Sequence, residues 1–310
     1  MIEGHLPEKK NSPIIWTIGG GKGGSGKTFV CSAFATLLAR LDYTVILIDL
    51  DIGAPNLHNF LGIQDPKKSL TLFFERKKEL EELPMPTVVP NLRFIAGDIH
   101  SLSTEGTRLY HRRKLYNHIP RLKSDYILID IGAGSDTHVL DTFLLADKKI
   151  AVINPETISM ENFYQFIKNA LFRKLTLTFR PYGFRDLIDQ VWKFREHYKL
   201  KNIWDLMNWL KINFPFSQSI IESEIASFRI DFLLNQIRTR QDIELGHIIK
   251  SAFIKFLDLD VRYAGHIEYK TEVANSIARG YPFMVHYANS PSAQEIETCL
   301  YNLIREKEAL

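Results

Sequence analysis

The residues of this chain whose types and spacing most directly specify chemistry are Gly20-Gly21-Lys22-Gly23-Gly24-Ser25-Gly26-Lys27-Thr28. Gly21, Gly26, Lys27 and Thr28 meet the pattern G-x-x-x-x-G-K-[ST]. Glycines let the backbone approach a ligand and adopt angles barred to other residues, so consecutive N–H groups of Gly21, Gly23, Gly24, Ser25 and Gly26 can converge on phosphate oxygens. The pattern places Lys27 on the β and γ phosphates and the Thr28 hydroxyl on Mg²⁺. A second lysine, Lys22, stands near the start of the loop.

Such a loop works only between a strand and a helix, and both flanks comply. Ile14–Ile18 is a short apolar, β-branched run suited to a buried strand. Phe29–Leu41 carries apolar residues at helical spacing with no internal Gly or Pro. The rhythm repeats along the chain: Thr44–Ile48 ends at Asp49, Leu92–Ala96 follows, Tyr126–Ile129 ends at Asp130, Lys149–Ile153 at Asn154 and Phe228–Leu234 at Asn235, with a further strand at Val261–Ile267. Strands alternating with helices predict an α/β fold: a doubly wound, mainly parallel sheet with helices on both faces, of the P-loop NTPase kind. Ligands of such sheets bind at the carboxyl ends of the strands, which gathers these acidic and amide residues around the phosphate loop.

Two acidic sites follow. Asp130 at the end of an apolar strand, with Gly132-Ala133-Gly134 after it, suits the magnesium shell of a phosphate-loop enzyme. In Asp49-Leu50-Asp51 alternate residues point opposite ways, so the two carboxylates have different jobs, one serving the metal and the other facing the water.

With 310 residues the chain has room for a substantial core. No apolar run approaches the roughly 20 residues that span a bilayer, and Met1–Pro13 is polar and broken by Pro7 and Pro13, unlike a signal peptide. The expectation is a cytoplasmic protein with a polar tail over 1–13 and an ATPase domain over 14–310. A net charge of +3 is too small to argue nucleic acid or acidic lipid by itself. Cys31 and Cys299, the two cysteines, fall on helices and read as small buried apolar side chains.

Lys22 with Lys27, the stretch Asp49-Leu50-Asp51-Ile52-Gly53-Ala54-Pro55-Asn56-Leu57 and the stretch Ile129-Asp130-Ile131-Gly132-Ala133-Gly134 resemble the MinD/ParA family of deviant phosphate-loop ATPases. The likeness continues through Asn154-Pro155-Glu156, Asn235-Gln236-Ile237-Arg238 and residues 265–292, and lies nearest the MinD and FlhG branch. It implies an ATP-dependent homodimer in which Lys22 of each protomer reaches the nucleotide held by the other, with slow, partner-stimulated hydrolysis releasing the pair. It implies further that Lys22, Lys27 and Asp51 carry catalysis, Asp51 orienting the water. Thr28, Asp49 and Asp130 would hold Mg²⁺, and Asn235 with Arg238 would read the base of ATP. The sequence departs from the family at Ile131, where Ser or Thr is frequent, and at His58, where Asp is frequent.

Residues 172–227 form a helical insertion that compact family members lack. It is locally basic, with helical patches at Asp186–Tyr198 and Trp204–Phe214 that interleave Trp192, Phe194, Tyr198, Trp204 and Trp209 with the charges. Two readings stay open: a docking surface for a protein partner or for phosphates of DNA or lipid, and a helical subdomain whose aromatics are its own core. The last helix, Ser292–Glu308, has an apolar side suited to packing on the sheet, and Arg305–Leu310 lacks the anchors of a membrane-targeting helix. The functional expectation is an ATP-driven switch that positions or assembles a cellular machine (flagellar, division or DNA partitioning), with non-specific DNA a further partner class. The alternative is an ATP-dependent small-molecule ligase or amidation enzyme of the same fold. The cysteine positions argue against iron–sulfur carriers, and Tyr301 alone does not make the tyrosine-rich tail of the related kinases.

Overall fold

The computed structural model describes residues 12–51, 54–97 and 105–305, with the backbone alone for 105–110. Most of the expected tail over 1–13, together with Ile52, Gly53 and Glu306–Leu310, lies outside the described residues.

Eight strands form one sheet: β1 (Ile14–Gly19), β2 (Val45–Leu50), β3 (Met85–Pro86), β4 (Leu92–Ile95), β5 (Tyr126–Ile131), β6 (Lys148–Ile153), β7 (Ile230–Ile237) and β8 (Val261–Glu268), in the order β3-β4-β2-β5-β1-β6-β7-β8. Every adjacent pair is parallel except β3–β4. The expected strands are all present. The additional one, β3, is a two-residue antiparallel edge containing Pro86, too short for any periodic signal and confined to an edge by the missing N–H.

Every residue of β2 and β5 is buried, as a strand covered on both faces requires. Alternate side chains feed opposite layers. Val45 and Leu47 join Trp16, Ile18, Phe34 and Leu38 beneath the helices Lys27–Arg40 and Pro291–Ile304. Ile46 and Ile48 join Phe143, Phe163 and Phe166 beneath Thr137–Leu145 and Thr157–Phe179. Trp16 is held edge-on between Phe34 and Tyr126, at centroid distances of 6.5 and 5.7 Å. Cys31 and Cys299 are buried and unpaired, one in each helix of the first layer.

The segment 172–227 continues the helix Thr157–Phe179 and adds helices Arg185–Lys193, Ile203–Asn213 and Ser217–Ala226. Ile188, Val191, Leu206, Met207, Leu210 and Ile221 are buried and merge with the second layer's core. Trp192, Trp204 and Trp209 pack against it half-buried, whereas Phe194 and Tyr198 are exposed. The first patch stops being helical at Lys193 because residues 194–199 have no buried face to hold them. The chain instead turns back, with Lys199 at φ 56° and the Leu200 N–H on the Arg195 carbonyl at 2.8 Å, and buries Leu200. No described helix is long and apolar enough to cross a membrane.

Candidate functional site

The phosphate loop leaves the carboxyl end of β1 in the middle of the sheet and opens the helix Lys27–Arg40, so the helix's unpaired N–H groups and positive dipole end face the loop. Gly26, the residue before that helix, has φ +89°, and a Cβ there would sit 2.1 Å from Nδ2 of Asn235. A Cβ on Gly21 would sit 2.4 Å from the carbonyl oxygen of Asn162, so the backbone of the helix Thr157–Phe179 presses directly on the loop.

The loop's two lysines go separate ways. Lys27 is 7% exposed, lines a cleft of about 360 Å³ and donates through Nζ to the Lys22 carbonyl at 2.9 Å. Burial lowers its pKa, and the charges of Asp130 and Asp51 oppose that shift. Lys22 lies outside the cleft lining, and its ammonium makes an ion pair with Glu156, the residue that precedes the helix Thr157–Phe179.

β2 and β5 deliver the acidic groups. Asp49 accepts from the Asp51 N–H at 3.1 Å and the Leu57 N–H at 3.0 Å. Burial nevertheless pushes its carboxyl up to about 7. Asp130 is pushed up by burial and then by Asp49, against the hydrogen bond from Thr28 and the charge of Lys27. Its Oδ1 is buried with no partner among the described residues. The hydroxyl of Thr28 and the carboxylates of Asp49 and Asp130 are hard oxygen donors, and a buried carboxylate oxygen lacking a hydrogen bond is what a divalent cation would satisfy. These residues therefore fit Mg²⁺. Asp51 lines the cleft, accepts from the Ala54 N–H at 3.3 Å and approaches Gly132 so closely that a Cβ there would meet its Oδ1 at 2.9 Å.

Besides the loop, the cleft is lined by Asn235 and Gln236 of β7, by Ile267–Lys270 at the end of β8, and by Val273, Ala274 and Ile277 of the helix Thr271–Ala278. Asn235 is 4% exposed and donates through Nδ2 to the Ser25 carbonyl at 2.8 Å. Arg238 does not line the cleft. Its guanidinium lies 4.6 Å from the ring centre of Tyr269, which does. Ile131 is buried at the base of the loop, where a Cβ on Gly19 would meet its Cδ1 at 2.6 Å; it supplies packing beside Asp130 rather than a hydroxyl. Sequence reasoning gave no role to Glu156 or Gln236, nor to the wall after β8. Glu156 lies 134 residues from Lys22, and no local pattern couples them.

A glycine-rich loop opening a helix at the carboxyl edge of a parallel sheet, with buried carboxylates on the neighbouring strands, defines a phosphate-loop nucleotide-binding protein. A family model described as the CobQ/CobB/MinD/ParA nucleotide binding domain matches residues 16–283, and the chain belongs to that family. The septum site-determining protein MinD of Helicobacter pylori is 30% identical over 153 residues, 48% of this chain and 56% of that protein. The chain thus spans about half the length of the curated relatives it matches, with 54% for the MinD-like protein of Emiliania huxleyi. Among solved structures, MinD of Pyrococcus horikoshii complexed with Mg-ADP shares the fold with a TM-score of 0.62 at 21% identity, covering 93% of this chain and 94% of that one. A plasmid partition protein of Borrelia burgdorferi bound to AMPPNP does so with a TM-score of 0.58 at 19% identity over 94% and 98%.

Proposed function

We propose that the chain is an ATP-binding and ATP-hydrolysing dimerisation switch of the MinD/ParA type, acting in the positioning or assembly of a cellular machine. The observation that supports this most is the divergence of the two loop lysines. Lys27 sits in the cleft of its own protomer, while Lys22 sits outside it on Glu156. A cation on the outer side of the loop is placed to serve a nucleotide held by a second copy. Phosphoryl transfer asks chiefly for positioning and for cancellation of charge on the phosphate oxygens, and a cation supplied across an interface does this in the manner of an arginine finger.

In this reading the N–H groups of Gly21 and Gly23–Gly26 cradle the phosphates and Lys27 neutralises the β and γ oxygens. Asp51 orients the attacking water from the cleft wall. Thr28, Asp49 and Asp130 would hold Mg²⁺, which would supply positive charge against the phosphate oxygens. Asn235 serves the nucleotide site through the loop it grips, and Arg238 acts by bracing Tyr269 at the cleft's edge. A lone protomer lacks the second cation, so turnover is slow until the pair forms and a partner completes it.

The relatives named for septum site determination and plasmid partition point to a division or partition machine as the foremost setting. The segment 172–227 offers the surface for a protein partner, through exposed Lys193, Phe194, Arg195, Tyr198, Lys199 and Lys201.

Light scattering after gel filtration tests the switch. Asp51→Ala protein with Mg-ATP should have twice the mass of the 35.8 kDa chain, and with Mg-ADP the mass of one chain. Equal masses in the two states would refute it.

A further inference from the structure

On a regular strand, successive side chains point to opposite faces, so Asn235 and Gln236 should diverge. They do not. Asn235 donates through Nδ2 to the Ser25 carbonyl at 2.8 Å, and Gln236 donates through Nε2 to the Gly24 carbonyl at 3.1 Å. The cause lies in the β7–β8 ladder. Asn235 pairs with Ile267 and Ile237 with Glu268, so Gln236 is an extra residue without an opposite number. It takes φ +62°, a left-handed conformation that non-glycine residues rarely adopt. This is a β-bulge, which re-aims one side chain, and it is the second of two register shifts in this ladder, the other lying between Phe232 and Leu233.

A trans peptide is planar, with its C=O and N–H pointing in opposite directions. Holding the Gly24 carbonyl toward β7 therefore turns the Ser25 N–H away from β7, and holding the Ser25 carbonyl does the same to the Gly26 N–H. Those are two of the donors on which a phosphate-binding loop depends. Lys27 adds a third hold, on the Lys22 carbonyl at 2.9 Å. Gly24 and Gly26, at φ +76° and +89°, are the residues whose conformations these contacts lock.

We propose that Gln236 is a positioning residue: with Asn235 it forms a double amide latch, created by the bulge in β7, that holds the phosphate loop in its binding shape before nucleotide arrives. The proposal rests on the nucleotide-binding reading but not on the dimer. It assigns Gln236 a role that neither its type nor its place in the sequence announces. It also explains why strained backbone sits at the end of β7 beside the cleft.

The test uses the full chain carrying Gln236→Gly, because glycine adopts φ +62° freely and the substitution deletes the amide while keeping the bulge. Gln236→Asn, which tolerates the same φ with an amide one methylene shorter, is the second variant. Affinity for Mg-ADP is measured by calorimetry, and the amide signals of Ser25 and Gly26 are followed by NMR in nucleotide-free protein, with Gly132 and Gly134 as the control. The latch predicts a loss of affinity of about 5- to 10-fold in Gln236→Gly, the worth of one hydrogen bond. It also predicts shifted or broadened amide signals at Ser25 and Gly26 alone in nucleotide-free protein, and an unchanged melting temperature. Affinity within two-fold together with unaltered Ser25 and Gly26 signals in both variants would overturn it. If the natural chain bound no nucleotide, the functional reading would fall while the amide signals would still decide the latch.

Discussion

Asp49 and Asp130 are register partners on the adjacent parallel strands β2 and β5, so two buried carboxylates stand side by side on one face of the sheet at the edge where the phosphate loop begins. Burial raises the proton affinity of both carboxyls. Asp49, with its carboxyl pushed up to about 7, retains in the native state a proton that the unfolded chain releases near 3.8. Between those values the native state binds more protons, so stability falls as pH rises through the window and none of this contribution is left above about 7. Asp49→Asn should therefore raise the melting temperature of nucleotide-free protein at pH 8 by about 2–4 °C and leave it nearly unchanged at pH 4. The same variant should need more Mg²⁺ to bind nucleotide. A lower melting temperature at pH 8 would mean that Asp49 is stabilising as an anion.

The two lysines should separate binding from assembly. Lys27→Ala should weaken Mg-ATP binding by about 10- to 100-fold, the worth of a charge-assisted hydrogen bond in a buried site. Lys22→Ala should leave binding within about three-fold, since an exposed ion pair contributes little to either state. It should nevertheless suppress the ATP-dependent doubling of mass and the turnover. Equal losses of affinity in the two variants, measured by calorimetry, would count against a cross-interface Lys22.

Asp51 has a separate signature. Asp51→Ala should lower phosphate release by about 100-fold or more, the lower range of what a positioned base contributes, with nucleotide affinity retained. Unchanged turnover would remove Asp51 from the water-positioning role.

The segment 172–227 should prove part of the main core. Leu206→Ala, which opens a hole at a fully buried position in the shared apolar layer, should cost about 2–5 kcal/mol in a urea titration. Ile212→Ala, at a position 79% exposed, should change stability by less than about 0.5 kcal/mol. A separate early transition confined to Leu206→Ala would show instead that the segment folds as its own unit.

The central strands, the loop and both acidic strand ends were legible in the sequence because a strand covered on both faces must be a continuous apolar run, as in Tyr126–Ile129, and the residue that ends it must face the ligand edge. What was not legible arises from contacts between distant segments. The pairing of Lys22 with Glu156 depends on where the helix Thr157–Phe179 begins relative to the loop. Gln236 reaches Gly24 only through a local slip in register, which alternation forbids until the neighbouring strand is known. Asn235, expected at the base of the nucleotide, also spends its amide on Ser25, a use of the same donor that only the packed structure reveals.

The tryptophans extend the reach of these measurements. Trp16 is sealed in the sheet's first layer, whereas Trp192, Trp204 and Trp209 all lie half-buried in the helices of residues 172–227. The intrinsic emission of the unlabelled chain therefore comes mostly from residues 172–227, where Phe172 is tilted against Trp192 and Tyr198 stands edge-on to Trp209. Anything that settles on that segment or loosens it can be followed by light alone, without a dye and without touching the nucleotide site.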